Sequence, residues 1–428
     1  MSLKSRKFAA LALGTALAGF VLNNARAETS PDAVLDHYAD MAEAAYSDSL
    51  AAAQTLDAKI EAMMADPSPE TLKAAREAWL AARNPYQETE VFRFGNEIVD
   101  DWEGRVNAWP LDEGLIDYVD ADYYGSESDQ NTLYTANVIA NETIAINGKE
   151  VEVKDITPEL ISGTLQEAGG IEANVASGYH AIEFLLWGQD LNGNGPGAGD
   201  RQATDYSLEN CTNGHCDRRR EYLAAASDLL VADLEEMAAN WREGGAARKA
   251  LADKGVAGGL SAILTGMGSL SYGELAGERM KLGLLLGDPE EEHDCFSDNT
   301  HNSHLHDALG IRNVYQGSYK RLDGTVLSGP SIAGLVAEKD GAIADELQSD
   351  LDATVAAMVK MADRAKTTEA YDQMIASGND EGNAIVQDAI DGLIKQTRSI
   401  ERAITALELG SIELEGSDSL DNPNAVFQ

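Results

Sequence analysis

The sequence predicts a mainly α-helical protein, all-α apart from one small β-hairpin and built as two helical bundle-like halves. Three observations indicate this fold class. Apolar residues recur at helical spacing in long segments such as residues 31–65. The chain lacks the alternation of strands and helices that a parallel sheet needs. One strand–turn–strand pattern stands at residues 143–153, around the turn dipeptide Asn147-Gly148.

The N-terminal half is predicted to begin with two long helices. The first covers residues 31–65, where alanine is dense and apolar side chains recur every three or four positions. The second begins after Pro69, and Pro85 should break or kink it, because proline lacks a backbone donor and its ring clashes with the preceding turn. Helix then resumes near Tyr86 and runs to about Glu103.

The remainder of this half contains less regular structure. Residues 105–142 are irregular and rich in aromatic side chains, and long segments of this kind are often functional in compact domains. The hairpin at residues 143–153 follows. Thr157-Pro158 is a typical helix start, and a mostly buried helix is predicted from about residue 171 to Trp187.

A glycine-rich segment at residues 190–200 is interpreted as a surface linker between the halves. Its opening resembles an EF-hand calcium loop, but Arg201 stands at the twelfth position, where such a loop needs a bidentate glutamate. The predicted divisions of the chain are a signal peptide (1–27), an N-terminal helical half with the His180 helix (28–200), a C-terminal helical half (201–410) and an acidic tail (411–428).

The C-terminal half is predicted to be helical around one irregular segment. An amphipathic helix covers residues 216–241, and a helical region rich in small residues covers 246–286. Residues 288–320 are irregular. Two or three further helices fill residues 332–408, and the polar residues after them are expected to form a loose tail.

The first 27 residues have the features of a secretory signal peptide. Lys4, Arg6 and Lys7 supply positive charge, residues 8–22 are apolar, and Ala25-Arg26-Ala27 is an A-x-A cleavage site. The apolar run is too short to span a bilayer comfortably, and the sequence predicts no later transmembrane segment. We therefore expect an exported protein, in the periplasm or associated with the outer membrane of a Gram-negative bacterium.

The chain is strongly acidic. It has 32 Lys and Arg against 73 Asp and Glu, so the formal net charge is 32 − 73 = −41. Such a charge repels nucleic acid and anionic membrane surfaces. Nucleic acid is therefore excluded as a partner, whereas cations and basic surfaces are favoured.

Three cysteines are present, and export makes disulfides possible. Cys211 and Cys216 bracket the turn signal Asn213-Gly214, which favours a small disulfide loop between them. Cys295 would then be a free thiol or a soft metal ligand. The alternative, in which Cys295 pairs with one of the other two, stays open.

His180 and Glu183 stand three residues apart in an apolar run. On a helix this spacing places both side chains on one face, about 5–6 Å apart. A buried glutamate costs several kcal/mol unless it is paired, protonated or bound to metal. Either a core hydrogen bond or a shared metal site satisfies that requirement. The zincin motif His-Glu-x-x-His is absent, so a third ligand of a catalytic zinc would come from elsewhere in the fold.

Two further patterns are candidates for the site. His293, His301, His304 and His306 cluster with many carboxylates, a composition typical of metal binding, with a solvated loop as the alternative. Polar residues also follow one face of the segment after Pro85, where a solvated face with intrahelical ion pairs is the simpler interpretation. This second set comprises Tyr86, Glu90, Arg93 and Glu97.

These residues resemble the imelysin family, and within it the iron-regulated protein A type. The resemblance covers nearly the whole chain after the signal peptide, and several separate motifs carry it in order. They are Gly178-Tyr-His180-Ala-Ile-Glu183-Phe-Leu-Leu-Trp187-Gly, which matches the family's Gly-x-His-x-x-Glu motif, Asn84-Pro-Tyr86-Gln-Glu88-Thr-Glu90-Val-Phe-Arg93-Phe-Gly95, Trp109-Pro-Leu-Asp112-Glu113, Cys211-Thr-Asn-Gly-His-Cys216-Asp-Arg-Arg219 and Phe296-Ser-Asp298-Asn-Thr-His301.

The resemblance implies two helical bundle-like domains with the His-x-x-Glu motif near the cleft between them. It also implies an envelope protein linked to the uptake of iron or another metal, and some family members are designated metallopeptidases. Carried over by residue, it implies metal ligands at His180 and Glu183, then at Glu90, Asp112 and His301. Arg93 and Tyr86 are the implied supporting residues, and the match extends to His293, His304 and His306.

The first hypothesis is a periplasmic metal-binding protein, with iron as the metal, zinc as the alternative, and a membrane component of iron transport as a candidate partner. Hard oxygen ligands with one imidazole suit iron among the first-row metals. The second hypothesis is a metal-dependent peptidase in which Glu183 or Glu90 acts as general base. The third is an envelope interaction module without a metal.

Overall fold

The computed structural model describes residues 29–427, so the predicted signal peptide lies outside the described residues. The fold is mainly α-helical, as predicted. The α-helices are α1 Pro31–Ala65, α2 Pro69–Gln87, α3 Glu97–Glu103, α4 Pro158–Leu160, α5 Gly178–Trp187, α6 Cys216–Trp241, α7 Ala246–Asp253, α8 Gly255–Ser269, α9 Leu282–Leu286, α10 Thr300–Gln316, α11 Ile332–Lys339, α12 Gly341–Thr367, α13 Tyr371–Ile375, α14 Asp380–Ala406 and α15 Asp418–Asp421. A π-helix, Leu270–Lys281, joins α8 to α9.

One group of helices forms around α1. This helix packs against α2 and α6, and the short helix α5 packs against both α2 and α6. Leu56, Ile60 and Met63 of α1 are fully buried at these contacts. Their spacing of three and four residues is the apolar stripe that predicts the helix, because it keeps the side chains on one face.

A second group forms around α12. This helix packs against α10, α11 and α14, and α14 also packs against the π-helix and α8. Contacts of α10 with α2, and of α8 with α1, connect the two groups. Since α6 packs in the first group although it follows residue 200, that group includes helices from both sides of the predicted boundary. The boundary itself stays a prediction.

The prediction for the segment around Pro85 is wrong in detail. Helix α2 continues through Pro85 to Gln87, because this proline lies in the last turn, where its missing backbone donor removes only one hydrogen bond. Helix does not resume at Tyr86. A 3-10 turn at Glu90–Phe92 and an irregular stretch separate α2 from α3.

The structure contains a hairpin that the sequence analysis missed. The predicted hairpin is present as β1 Thr143–Ile146 and β2 Lys149–Glu152, paired antiparallel. A second one, β3 Ser318–Lys320 with β4 Val326–Ser328, begins at the end of the segment predicted to be irregular. That prediction is wrong for most of the segment, because α10 occupies Thr300–Gln316. Its strands have only three residues each, too few for an alternating pattern to be visible.

The acidic tail is not loose within the described residues. The hydroxyl of Ser419 donates to the Gly277 carbonyl at 2.9 Å, and Ser269 Oγ accepts from the Glu415 amide at 3.0 Å. Ser417 and Ser419 are buried. These contacts bind the tail to the end of α8 and to the π-helix, because they satisfy backbone groups of Glu415 and Gly277.

Two further features complete the fold. Cys211 and Cys216 form a disulfide directly before α6, and Cys295 has a free thiol. Among the helices within residues 29–427, none is both long and apolar enough to cross a membrane.

Candidate metal centre

Helix α5 holds His180 and Glu183 inside the protein. Every residue of this helix is buried. The helix begins at Gly178 rather than near residue 171, because a helix cannot continue through the φ of +81° at Gly178. This residue must be glycine, because a Cβ there would lie 2.4 Å from the Val106 carbonyl oxygen. Two residues later, His180 Nδ1 lies 3.1 Å from Glu183 Oε2.

The irregular segment before α10 brings His293 and Asp294 to this pair. Asp294 Oδ1 lies 3.5 Å from His293 Nδ1 and 4.0 Å from His180 Nδ1. The two imidazole rings meet edge to face, with centroids 4.7 Å apart. His180, His293 and Asp294 each offer a ligand atom, and these atoms all lie within 4.8 Å of one another.

Asp294 is held in place from several sides. Its Oδ1 accepts a hydrogen bond from Arg83 Nη2 at 2.8 Å, and both side chains are fully buried. Its Oδ2 accepts from Asn299 at 2.8 Å and from the Ser303 hydroxyl at 2.5 Å. A carboxylate anchored at both oxygens has little freedom, so it presents a fixed negative charge to the two imidazoles.

Glu183 is anchored in the same way. Its Oε1 accepts from the Ser297 amide at 3.0 Å and from the Ser297 hydroxyl at 2.7 Å. Its Oε2 faces His180 Nδ1. The second ring nitrogen of each histidine, His180 Nε2 and His293 Nε2, is buried without a hydrogen-bond partner. Buried polar atoms are normally satisfied, so unpartnered nitrogens on these two imidazoles are consistent with a ligand site.

Burial decides the charges of this group. Burial and the nearby Arg83 lower the pKa of His180 to about 3, and burial with the charge of Arg279 holds the pKa of His293 well below its usual value. Both imidazoles are therefore neutral at pH 7, the form in which histidine binds a metal.

The two carboxyl groups differ from each other. Burial alone would raise the pKa of Asp294, but Arg83 lowers it to about 2. Burial and the charge of Asp294 raise the pKa of Glu183 well above its usual range. At pH 7 Asp294 is therefore ionised, and Glu183 favours its protonated form in the absence of a further cation.

A cavity of about 340 Å³ opens next to the group. His180 and His293 line it, together with aromatic and acidic side chains of residues 109–134. This is the aromatic segment that the sequence predicts to be functional. Its members at the cavity are Trp109, Pro110, Leu111, Asp112, Glu113, Tyr123, Tyr124 and Tyr134.

The comparisons with known proteins agree with this arrangement of helices. The sequence model of imelysin matches residues 42–400. The chain belongs to the imelysin family. A curated relative, iron-regulated protein A of Synechococcus elongatus, is 35% identical over 66 residues, which are 15% of this chain and 18% of that protein. The match thus spans less than one fifth of the relative's length.

Two solved structures share the imelysin fold of this chain. The first is a candidate iron-regulated protein A precursor from Parabacteroides distasonis, with a TM-score of 0.63, 16% identity, and coverage of 90% of this chain and 97% of that one. The second is an imelysin-like protein from Psychrobacter arcticum 273-4, with a TM-score of 0.56, 18% identity, and coverage of 89% and 96%. At these identities the likeness concerns the fold alone.

Some of the predicted site residues lie away from the group around His180. Glu90 is buried and accepts from Arg279 Nη2 at 2.8 Å. Arg93 pairs with Asp100 at 2.7 Å and Glu274 at 3.4 Å. These contacts form an ion-pair network, buried at Glu90 and partly exposed at Arg93, rather than part of the His180 group. The ring of Tyr86, also buried, packs 4.9 Å from that of Tyr179.

Other predicted residues lie nearer. Asp112 lines the same cavity as His180, and its Oδ2 accepts from Asn131 at 2.6 Å. His301, in the first turn of α10, is buried but does not belong to the three-residue group. The His304 ring lies 6.3 Å from that of His293, whereas His306 pairs with Glu88 at 2.8 Å.

The sequence patterns did not indicate Arg83, and they assigned Asp294 no role of its own. Arg83 lies in α2, 97 positions before His180, so no local spacing relates them. Asp294 could have been found, because it directly follows His293 in the histidine-rich tract.

Proposed function

We propose that this protein binds a metal ion, iron, through His180, His293 and Asp294, with Glu183 as an adjoining carboxylate. One observation carries the proposal: the ligand atoms of these three buried residues lie within 4.8 Å of one another, and two imidazole nitrogens there have no partner. We further propose that the protein acts in iron uptake or homeostasis in the cell envelope, which rests on the predicted signal peptide and on the name of the relatives.

The donor chemistry fits the proposed ion. Imidazole nitrogen with carboxylate oxygen suits iron or zinc better than Ca²⁺ or Mg²⁺, which prefer oxygen alone. A bound cation would also favour the ionised form of Glu183, because it compensates the charge of Asp294. Arg83 opposes the cation electrostatically, but it holds Asp294 in position for binding.

Elemental analysis of the protein purified from its native source tests the proposal. We expect about one iron per chain from a site of this kind, and loss of that iron after chelator treatment. Iron or zinc should then rebind to the stripped protein. Native protein that contains no transition metal and takes up none in calorimetric titration would contradict metal binding at this site.

A further prediction separates metal binding from the peptidase alternative, in which Glu183 is the base. Both carboxylate oxygens of Glu183 already face partners in Ser297 and His180. We therefore expect metal-loaded wild type not to cleave unfolded polypeptides. Metal-dependent cleavage by wild type that disappears in Glu183→Gln, with contaminating proteases excluded, would reverse this ranking.

A further inference from the structure

A second group of acidic residues lies near the first. Glu292, Asp298 and Asp372 each direct a carboxylate oxygen to one place, and these oxygens lie within 4.8 Å of one another. Glu292 and Asp372 are 1% exposed, and Asp298 is half-buried. The three residues come from the irregular segment before α10 and from α13, and none belongs to the group around His180.

Four of the six carboxylate oxygens in this group lack hydrogen-bond partners. Glu292 Oε1, Asp298 Oδ1 and both carboxylate oxygens of Asp372 are buried and have no side-chain hydrogen-bond partner. Other buried carboxylates of the chain differ in this respect. Asp117, for example, pairs with Arg201 at 2.7 Å and Arg219 at 2.6 Å. Within residues 29–427, no Lys, Arg or His forms an ion pair with any of the three acidic residues.

The surroundings add further negative charge. Burial and the charges of Asp372 and Asp190 raise the pKa of Asp298 to about 7. Burial, and then the charge of Asp190, raises the pKa of Asp372 to about 7 as well. Asp190 opens the glycine-rich loop, whose Asn194 donates to the Asp372 backbone carbonyl at 2.8 Å. The loop is therefore packed against the acidic group.

We propose that Glu292, Asp298 and Asp372 form a second cation site, for a hard divalent cation, Ca²⁺. An all-carboxylate set suits hard cations, and Ca²⁺ accepts irregular oxygen geometry more readily than Mg²⁺, which demands near-ideal octahedra and keeps its waters. Three carboxylates that face one another in a buried place repel when they are ionised, whereas a divalent ion between them makes the same arrangement favourable.

The position of this site gives it a structural role. Glu292 directly precedes His293 and Asp294, and Asp298 follows them four residues after Asp294. A cation shared with Asp372 would fix both ends of this short segment against α13. Because the acidic site uses none of the proposed iron ligands, the inference goes beyond the proposed function and fails or holds independently of it.

Calcium titration of the chelator-treated full chain tests the inference. We expect Ca²⁺ at about 1 mM to raise the melting temperature by at least about 2 °C, and calorimetry to show a binding event. Asp372→Asn keeps the size of the side chain but removes one charged ligand, so it should weaken Ca²⁺ binding at least about tenfold. Asp363→Asn, on the exposed face of α12, is the matched control and should bind as wild type does.

Two measurements keep the result interpretable. Without Ca²⁺, Asp372→Asn should melt no lower than wild type, because it removes a buried like charge; a lost response then cannot come from misfolding. His180→Ala should retain the Ca²⁺ response, which separates this site from the iron site. No Ca²⁺ response in wild type, an equal response in Asp372→Asn, or an equal loss in Asp363→Asn would each overturn the proposal.

Discussion

His180→Ala is expected to lower the affinity of the protein for iron or zinc at least about tenfold. The substitution removes an imidazole that lies on a fully buried helix, 3.1 Å from Glu183 and 4.0 Å from Asp294. Water from the adjoining cavity is a weaker ligand than the imidazole that it would replace, so the affinity is not recovered. Calorimetric titration of the stripped protein measures the effect.

A histidine of the same tract provides the control for this result. His306→Ala removes an imidazole that pairs with Glu88 outside the group, so its metal affinity should match that of wild type. His293→Ala should reproduce the loss seen for His180→Ala. Wild-type affinity in both His180→Ala and His293→Ala would make the group a structural one and would end the metal-binding proposal.

The local half of this site could be predicted from the sequence. His180 and Glu183 are three residues apart on a helix, and their contact follows from helix geometry alone. Their contact with Asp294 does not, because 111 positions separate Glu183 from Asp294. Only the packing of α5 against the segment before α10 decides it, and spacing arguments contain no information about such tertiary contacts.

The fold shows the same limit. The long helices were predictable because apolar side chains repeat along them, as in α1. Glu90 and Arg93 were interpreted as a solvated face or as site residues, and neither interpretation includes their ion pairs with distant residues. Arg279 accounts for the burial of Glu90, and it lies 189 positions away in a π-helix. The sequence shows that Arg279 is charged, but it does not show which residues Arg279 contacts.

Arg83→Met is expected to lower the free energy of unfolding by about 3–5 kcal/mol, because it leaves the Asp294 charge buried and unpaired. Both side chains are fully buried, so water cannot replace the lost guanidinium. Denaturant unfolding at pH 7 of the metal-free protein measures the loss. Arg248→Met is the control: its contact with Asp40 at 2.6 Å is exposed, so it should cost no more than about 1 kcal/mol.

The pH dependence of this loss identifies its cause. The folded pKa of Asp294, about 2, lies below the unfolded value of about 3.9. The contribution of ionised Asp294 to the free energy of unfolding is therefore present above about pH 4, and it is lost as the pH falls toward 2. The difference between wild type and Arg83→Met should therefore be largest at neutral pH and shrink below pH 4. Added iron or zinc should also shrink it, since a bound cation compensates Asp294 in place of Arg83. A difference that stays constant with pH would instead assign the loss to packing of the Arg83 side chain.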